Sequence, residues 1–318
     1  MAKKTVLITG ASGFVGRPLV ERMLGAGYSI RAATRGSASF PDQVDVVIIP
    51  DLVNNIDWKP VLAGVDFVIH LAGVAHTNIR EADSHTFDQV NRLATENLAR
   101  AANEAGIKRF IFISSVRAQA GPSAKSVVRE SNASHPTNEY GISKLVAESA
   151  VRASGVPFTI LRPVAVYGPH PRGNIKSLVR LALSPMPIPF LGLAGRRSII
   201  GIDNFISALL FVLENPAAAG EAYLVADQDS YTLAEVLTML RKAVGRRPGT
   251  FRIPSIIFRF ALTLLNHPEF WARLGEDLIV DTTKLQMLGW RPTVDTYDGI
   301  AATMRAETEK RDQPPPKR

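Results

Sequence analysis

Cysteine is absent from the 318 residues of this chain. Without thiols the chain forms no disulfide, binds no metal through thiolates and uses no cysteine nucleophile. This absence fits a reducing compartment, where proteins are stable without disulfides. Any chemistry that the protein performs must therefore come from other side chains.

Long hydrophobic runs are also missing. The first residues, "MAKKTVLITG", lack the apolar core of a secretory signal, so we expect a cytoplasmic protein. The longest apolar segment, residues 253–265, contains Arg259 and is too short to span a bilayer. We expect a packed helix there, in preference to a helix on a membrane surface or a lid over a substrate.

Acidic residues are outnumbered by basic ones, 29 against 37, which gives a net charge of +8. The basic residues are scattered, and the chain has neither zinc-finger spacing nor a basic helix interleaved with aromatics. We therefore expect no nucleic-acid partner. The excess of positive charge suits a small polyanionic substrate equally well.

Strand and helix patterns alternate along the first half of the chain. Short apolar runs predict buried parallel strands at 4–9, 28–35, 44–50, 65–73, 108–115 and 157–163. Helical patterns fill 14–24, 86–105 and the segment around "NEYGISKLVAES" at 138–149. This alternation predicts an α/β fold, a Rossmann-like doubly wound parallel sheet.

A glycine-rich loop, "TGASGFVG", lies between the first predicted strand and the first predicted helix. Gly10 permits the tight turn, Gly13 lets the backbone approach a pyrophosphate, and Gly16 lets the helix pack close to the strand. The helix N-terminus then offers free N–H groups to the phosphates. Because the strand and the helix are both in place, the loop predicts a dinucleotide site.

The amino-acid composition changes after about residue 165, where Pro- and Gly-rich segments begin. We predict an NAD(P)-binding Rossmann domain at 1–165 and a smaller C-terminal substrate-binding region at 166–308. The segment "EAYLVAD" at 221–227 is predicted to return a strand to the sheet. Residues 309–318 are predicted to be a disordered tail.

The G-x-x-G-x-x-G spacing after Thr9 resembles the extended short-chain dehydrogenase/reductase superfamily. Further motifs follow in the order of that family, namely "DL" at 51–52, "HLAG" at 70–73, Asn91, "SS" at 114–115, "YGISK" at 140–144 and "LRPVAVYGP" at 161–169. The resemblance covers nearly the whole chain and implies a nicotinamide cofactor. It implies that the cofactor-binding residues include Gly10, Ser12, Gly13, Phe14, Val15, Gly16, Asp51, Leu52, Leu71, Ala72, Gly73, Tyr140, Lys144 and Pro163.

Two histidines, His70 and His76, raise the question of a metal site. No third ligand stands at a sensible spacing, so we expect no metal. His70 is expected to pack near the cofactor instead.

Tyr140 and Lys144 lie one helical turn apart, so their side chains share a face of the predicted helix. The resemblance implies three catalytic residues, Ser115, Tyr140 and Lys144. Tyr140 exchanges a proton with the substrate oxygen as the hydride moves, Ser115 holds that oxygen, and Lys144 also holds the nicotinamide ribose. Ser114 is a rival for the role of Ser115.

The pKa of Tyr140 decides whether it can exchange a proton near neutral pH. A free tyrosine has a pKa of about 10, so working near pH 7 requires a change of about 3 units, or about 4 kcal/mol. One ammonium about 4 Å away, at an effective dielectric constant near 20, supplies about that much. We therefore expect Lys144 to lower the pKa of Tyr140.

The end of the second predicted strand bears on the choice of cofactor. NAD-binding relatives place an acid there, whereas this chain has Thr34 followed by Arg35. An arginine can pair with a 2′-phosphate, so the sequence favours NADP over NAD. The alternative is that Arg35 stacks on adenine or faces solvent, and then NAD serves as well.

The second half resembles family members that act on nucleotide-diphosphate sugars. Asn174 matches a substrate-contacting Asn, and Arg197 matches an Arg that clamps the diphosphate. Arg273 is a second diphosphate candidate, and Arg117 either contacts substrate or faces solvent. Asp281, Lys284 and Trp290 belong to the closing motif of the family and are expected to be structural.

These resemblances imply an NAD(P)-dependent oxidoreductase acting on a nucleotide-diphosphate sugar. Reduction of a 4-keto sugar in surface-polysaccharide synthesis is favoured, and C4 epimerisation like that of UDP-glucose 4-epimerase is the alternative, because both use the same residues. A dehydratase is disfavoured because Val116 and Arg117 replace its Asp-Glu pair. A non-catalytic dinucleotide-binding sensor is disfavoured by the retention of Ser115, Tyr140 and Lys144.

The family also suggests a homodimer. In such a dimer the helices at about 86–105 and 139–154 of two copies pair into a four-helix interface. The expected partners are therefore a small nucleotide-sugar substrate and a second copy of the chain, with neither a nucleic acid nor a membrane span.

Overall fold

The computed structural model describes residues 3–74, 84–264 and 269–312. The strands in these ranges are β1 (Thr5–Thr9), β2 (Ser29–Thr34), β3 (Val44–Ile48), β4 (Phe67–His70), β5 (Arg109–Ile113), β6 (Phe158–Pro163), β7 (Ala165–Tyr167), β8 (Arg196–Gly201), β9 (Glu221–Val225) and β10 (Ser230–Thr232). The α-helices are α1 (Gly16–Gly25), α2 (Lys59–Leu62), α3 (Ser84–Phe87), α4 (Ala94–Glu104), α5 (Glu139–Ala153), α6 (Gly173–Leu183), α7 (Ile202–Glu214), α8 (Leu233–Lys242), α9 (Ser255–Leu264), α10 (Glu269–Leu274), α11 (Thr283–Met287) and α12 (Thr296–Asp312). A π-helix, Asp88–Leu93, joins α3 to α4.

The main sheet has the order β3-β2-β1-β4-β5-β6-β9, and every neighbouring pair in it is parallel. This confirms the predicted Rossmann-like doubly wound sheet. The strand order reverses between β1 and β4, where Thr9 pairs with His70. Ligands of such sheets bind in the crevice outside the carboxyl ends of the strands at this reversal.

Helices cover both faces of the main sheet. On one face Leu19 of α1 and Phe205 of α7 are fully buried. On the other face Leu98 of α4 and Ala147 of α5 are fully buried. Because neither face of the central strands β1, β4 and β5 meets water, these strands are continuous apolar runs in the sequence, and that is why they could be predicted.

The C-terminal half contributes to two layers of the molecule. β9 joins the main sheet beside β6, as predicted, and α7 packs on that sheet. β10, β8 and β7 form a second, smaller sheet. A separate apolar cluster lies there, with Tyr167, Val179, Leu237, Ile300 and Met304 among its buried members. The division of the chain at residue 165 stays a prediction.

The closing motif is structural, as expected. Trp290 is 3% exposed and belongs to the core. The Asp281 carboxylate accepts a hydrogen bond from Arg129 at 2.9 Å, and the Lys284 ammonium pairs with Glu221 at 2.6 Å. One expectation is wrong nearby, because α12 runs to Asp312 and residues 309–312 are helical. The segment "ETEKRD" is rich in helix formers, which favours that extension. Residues 313–318 lie outside the described ranges.

The apolar segment 253–265 is helical but not packed as expected. Over Ser255–Leu264 it forms α9, and most of its large apolar side chains face solvent. The helix rests on the protein through Phe258, whose ring meets Phe190 edge-on at 5.5 Å. Within the described ranges, no helix is both long enough and apolar enough to cross a membrane.

Candidate active site

The glycine loop fits a dinucleotide. Gly10 has φ +72°, and a Cβ there would lie 2.9 Å from the Ala72 nitrogen. A Cβ on Gly16 would overlap the Gly10 carbonyl oxygen, so Gly16 lets α1 begin directly against the loop. Among the described residues no side chain caps α1, and its first turn carries no acid. Arg17 and Leu19 donate to the Gly13 and Val15 carbonyls and Pro18 has no N–H, so Gly16 and the loop before it provide the donors for a pyrophosphate. The same loop contains the predicted residues Ser12, Gly13, Phe14 and Val15.

The end of β4 is held by a buried histidine. The ring nitrogens of His70 are hydrogen-bonded to the hydroxyls of Thr9, at 2.6 Å, and Thr95, at 2.9 Å. Burial lowers the pKa of His70 to about 3, so the ring is neutral at physiological pH. His70 thus fixes β4 against β1 beside the loop. His76 lies outside the described residues.

Leu71, Ala72 and Gly73 follow β4 directly and line the edge of the crevice. A Cβ on Gly73 would lie 2.9 Å from Asn91 Oδ1 and 3.2 Å from Lys144 Nζ. Gly73 therefore leaves room for the Lys144 ammonium and the Asn91 amide. The packing of Asn91 and Lys144 thus explains why "HLAG" ends in glycine. It also places this motif beside α5, the helix that carries Tyr140 and Lys144.

Asn91 lies in the π-helix, whereas the sequence predicted an unbroken helix over 86–105. Its Oδ1 accepts a hydrogen bond from the Val74 backbone nitrogen at 2.8 Å. Its Nδ2 donates to the Val74 carbonyl and to Ser143 Oγ, both at 3.0 Å. These bonds tie the wider turn to β4 and to α5, and such turns are frequent at functional sites. The π-helix has no signal in the apolar periodicity, so it could not be predicted.

The N-terminus of α5 brings Tyr140 to Ser115. Asn138 caps the helix by accepting a hydrogen bond from the Gly141 nitrogen at 3.0 Å. A Cβ on Gly141 would overlap the Arg117 carbonyl oxygen, so only glycine lets the loop after β5 pack this closely. Burial raises the pKa of the Tyr140 phenol and a hydrogen bond with Ser115 lowers it, so the two side chains lie close together. The sequence analysis missed the role of Gly141, although the glycine stands inside "YGISK".

The pKa expectation for Tyr140 is wrong in this structure. Burial raises the pKa of Tyr140, and the opposing effects come from Ser115 and Arg117 rather than from Lys144. The Lys144 ammonium instead donates to the Ile113 carbonyl at 2.9 Å and lies 4.9 Å from the Phe112 ring centroid. Burial lowers the pKa of Lys144 to about 8. Desolvation therefore decides the pKa of Tyr140, and the attraction to Lys144 on which the expectation rested does not contribute.

A buried ion pair between Glu148 and Arg162, which was not predicted from the sequence, distinguishes the surroundings of Ser114 from those of Ser115. Glu148 accepts two hydrogen bonds from Arg162, at 2.8 and 2.6 Å, and one from Ser114 at 2.6 Å. Arg162 also donates to Gln119 Oε1 at 2.7 Å. Ser114 is thereby engaged away from Tyr140, which leaves Ser115 as the serine at the site. One signal in the sequence could have indicated this pair. Glu148 stands one helical turn beyond Lys144, on the same face of the predicted helix.

Arg35 and Asp51 pair with each other at the ends of β2 and β3. Arg35 Nη1 lies 2.9 Å from Asp51 Oδ2, and this hydrogen bond holds the pKa of Asp51 below its usual value. The prediction of NADP rested on Arg35 alone and took no account of Asp51 beside it. An ionised carboxylate beside Arg35 offsets its attraction for a 2′-phosphate, so the preference for NADP gains no support from the structure.

Three arginines, Arg117, Arg197 and Arg273, lie near one another, and Arg117 also interacts with Tyr140. Arg197 carries a pKa lowered to about 10 by burial and by the charges of Arg117 and Arg273. Its guanidinium donates to the carbonyls of Arg273, at 3.0 Å, and Pro122, at 2.7 Å. Burial, followed by the charge of Arg273, likewise lowers the pKa of Arg117. The cluster forms a concentrated positive field that suits an anionic ligand.

The remaining predicted residues are placed as follows. Asn174 is exposed in the first turn of α6, Pro163 ends β6 in the interior, and Leu52 is buried in the core next to the Asp51 position. The structure therefore brings together the loop, Ser115, Tyr140, Lys144 and the arginine cluster. Asn174 has no described contact with that group.

Comparison with known proteins identifies the family. A family model described as the NAD dependent epimerase/dehydratase family matches residues 6–226. The chain belongs to this family. UDP-glucose 4-epimerase of Vibrio cholerae is 30% identical over 313 residues, which cover 95% of both chains. The family assignment agrees with the superfamily that the motifs predicted, and the protein is an enzyme of that family.

Solved structures of the epimerase/dehydratase type share the fold. MoeE5 in complex with UDP-glucose and NAD has a TM-score of 0.78 and 24% identity, covering 97% of this chain and 100% of that one. UDP-glucuronic acid 4-epimerase from Bacillus cereus, in complex with UDP-glucuronic acid and NAD, has a TM-score of 0.78 and 22% identity, covering 96% and 99%. Both structures are less than 25% identical to this chain, so the likeness shows the fold alone.

Proposed function

We propose that this enzyme transfers a hydride between a nicotinamide dinucleotide and C4 of a nucleotide-diphosphate sugar, with reduction of a 4-keto sugar in surface-polysaccharide synthesis as the net reaction. The observation that carries the proposal is the contact of the Tyr140 phenol with Ser115, one helical turn from Lys144. The glycine loop lies at the carboxyl edge of the same sheet. The family and its UDP-glucose 4-epimerase relative support the substrate class.

The protein's own residues account for the proton. Tyr140 stays protonated, because burial raises its pKa, and a protonated phenol can donate to a carbonyl oxygen. Ser115 donates a second hydrogen bond to that oxygen and fixes its position. The Lys144 ammonium adds positive charge where the oxyanion develops. When bound, the dinucleotide supplies the hydride.

NAD is the cofactor that we favour. The Arg35–Asp51 pair supports this choice, because Asp51 repels a 2′-phosphate and its carboxylate can accept a hydrogen bond from a ribose hydroxyl. The solved relatives described above hold NAD. Lys144, Tyr140 and the glycine loop would hold the rest of the molecule.

The arginine cluster supports a diphosphate-bearing substrate. Arg197 and Arg273 would bind the diphosphate, and Asn174 would reach the substrate from α6. Arg117 shares the field of Tyr140, so it would lie near the sugar.

The protonated state of Tyr140 favours reduction over epimerisation, because a reductase begins with a tyrosine that donates a proton. An epimerase first oxidises C4, with the tyrosine as base, and then turns the keto sugar over. Epimerisation remains the second candidate because the Vibrio cholerae relative is described as a 4-epimerase.

A panel of nucleotide sugars tests the proposal. The purified enzyme is incubated with 4-keto-6-deoxy nucleotide sugars and NADH or NADPH, and absorbance at the nicotinamide band is followed. In parallel, UDP-glucose and UDP-galactose are assayed for interconversion without added cofactor. Stoichiometric oxidation of the cofactor supports the reductase, whereas interconversion without net oxidation supports the epimerase. Failure of both across the panel contradicts the substrate class.

A further inference from the structure

Helix α9 carries an apolar face that the protein itself leaves uncovered. Ile256, Ile257, Phe260 and Leu264 are 70%, 55%, 69% and 76% exposed. At 100° per residue these positions fall within about 100° of one another, so they form one face of the helix. Phe258 points to the opposite side and is held by Phe190. The helix is therefore anchored by one side and apolar on the other.

The segment 236–268, which contains α9, is basic, and the nearest acids in the sequence are Glu235 before it and Glu269 after it. Residues 236–268 contain six Lys and Arg residues and no Asp or Glu. Arg241 is buried and donates to backbone carbonyls, so its charge serves the fold. The other cations are exposed, and in the described part of the chain no carboxylate pairs with them; they are Lys242, Arg246, Arg247, Arg252 and Arg259. Apolar side chains and unpaired cations are thus concentrated in one segment.

We propose that the α9 face, Ile256, Ile257, Phe260 and Leu264, docks the protein on the surface of a bilayer that contains anionic phospholipid. The apolar side chains enter the boundary between headgroups and acyl chains, and the flanking arginines meet the phosphates. The exposed aromatic Phe260 and the cations Arg252 and Arg259 match the composition of interfacial helices.

Charge distinguishes this occupant from a second copy of the chain. Two copies meeting through α9 would bring their arginines together with no acid in 236–268 to compensate. An anionic membrane surface supplies the missing negative charge over the whole face. The bilayer is therefore the occupant that the residues favour.

The docked face lies next to the substrate side of the molecule. α9 and α10 contact each other, and Arg197 donates to the carbonyls of Ala272 and Arg273 in α10. A bilayer bound at α9 would therefore lie close to the arginine cluster. Docking itself does not depend on the reaction proposed above, because it uses none of the catalytic residues.

Vesicle sedimentation tests the proposal with the full-length protein. The vesicles contain phosphatidylcholine either alone or with about 30 mol% phosphatidylglycerol. We expect binding to the anionic vesicles, and a decrease in that binding when salt rises from about 0.1 M to about 0.5 M. The double variant Ile256→Glu/Phe260→Glu should bind at least about tenfold more weakly, because two large apolar contacts are lost. Arg252→Gln/Arg259→Gln should weaken binding to anionic vesicles only.

A matched control places the same change on exposed apolar residues elsewhere. Ile48 and Met287 are 66% and 83% exposed, so Ile48→Glu/Met287→Glu adds the same charge without touching α9. This variant should bind vesicles as the unaltered protein does. Unaltered protein that stays in the supernatant with both vesicle types overturns the proposal, as does equal binding by the α9 variant. A dimer in lipid-free sedimentation that the α9 variant abolishes assigns the face to a second copy and also overturns it.

Discussion

Tyr140 acts in surroundings that keep it protonated. The residue is half-buried, and desolvation of its phenol raises its pKa against the opposing effects of Ser115 and Arg117. Lys144 is held by the Ile113 carbonyl and titrates at a pKa of about 8. The pair of residues could be predicted from their spacing, but their protonation states could not. Those states depend on burial by elements that are distant in the sequence.

Replacing Tyr140 with phenylalanine removes the proton donor and keeps the ring. We expect turnover to fall by about a hundredfold to ten-thousandfold, the usual contribution of a general acid. Affinity for the dinucleotide, measured by fluorescence titration, should change little. Tyr297→Phe makes the same change at a ring that lies beside Lys242, and it should retain full turnover. A Tyr140→Phe enzyme with normal turnover would remove Tyr140 from the mechanism.

The pH dependence of ketone reduction should follow Lys144. Its ammonium is present below a pKa of about 8 and is lost as pH rises through that value. Tyr140 remains protonated over this range because its pKa is raised. We therefore expect kcat for reduction to be level below about pH 7 and to fall above about pH 8. Lys144→Arg keeps the charge and should move the fall to higher pH. A rate that climbs from pH 7 to pH 9 is incompatible with this assignment.

Asp51 is expected to limit the use of NADP. Asp51→Asn removes the ionised carboxylate that pairs with Arg35, so the guanidinium becomes free to bind a 2′-phosphate. The ratio of kcat/KM for NADPH to that for NADH should rise about tenfold, the effect of one charge-assisted contact. Asp45→Asn disrupts the comparable Arg31–Asp45 pair on the same strands and should leave the ratio unchanged. An unaltered ratio in Asp51→Asn would separate this pair from cofactor choice.

Helix α5 shows which features of the site depend on packing between elements of the fold and which are visible in the sequence motif. Its amphipathic pattern and its Tyr-Lys spacing could be read from the sequence, together with the strands on either side. The Glu148–Arg162 pair could not, because Arg162 comes from β6 and the two residues meet only when α5 packs on the sheet. The π-helix at Asn91 was unpredictable for the same reason, since its turn is held by Val74 and Ser143.

Loss of the Glu148 charge should destabilise this region. Glu148→Gln leaves Arg162 charged and buried, at an expected cost of about 3–5 kcal/mol in the free energy of unfolding. The variant also removes the negative charge that raises the pKa of Lys144, so the alkaline fall in kcat should move to lower pH. Urea denaturation measures the first effect and the pH profile the second.

Glu104→Gln, at an exposed position on α4, is the matched control for Glu148→Gln and should change neither quantity. Combining Glu148→Gln with Arg162→Met should recover part of the lost stability, because the unpaired charge is gone. If Glu148→Gln unfolds at the same urea concentration as the unaltered protein, the buried pair does not hold α5 to the sheet.

At the scale of the whole molecule, the sequence predicted the main sheet better than the C-terminal half. Strands buried on both faces leave continuous apolar runs, and the return of β9 was visible as such a run. The exposure of α9 could not be predicted, because an apolar helix has the same composition whether its face is packed against the protein or exposed to solvent. A homodimer stays a prediction; Ile142 and Val146, both 41% exposed and one turn apart on α5, offer the face on which α5 of a second copy would pack.

The most direct test of the whole account is the fate of a labelled hydride. The enzyme is given a 4-keto-6-deoxy nucleotide sugar together with the reduced nicotinamide dinucleotide. The dinucleotide carries deuterium at the transferable C4 position of its ring. The product is then examined by mass spectrometry and NMR. The account predicts one deuterium per product, attached to C4 of the sugar, with transfer almost abolished in Tyr140→Phe. Product formed without deuterium at C4 would contradict it.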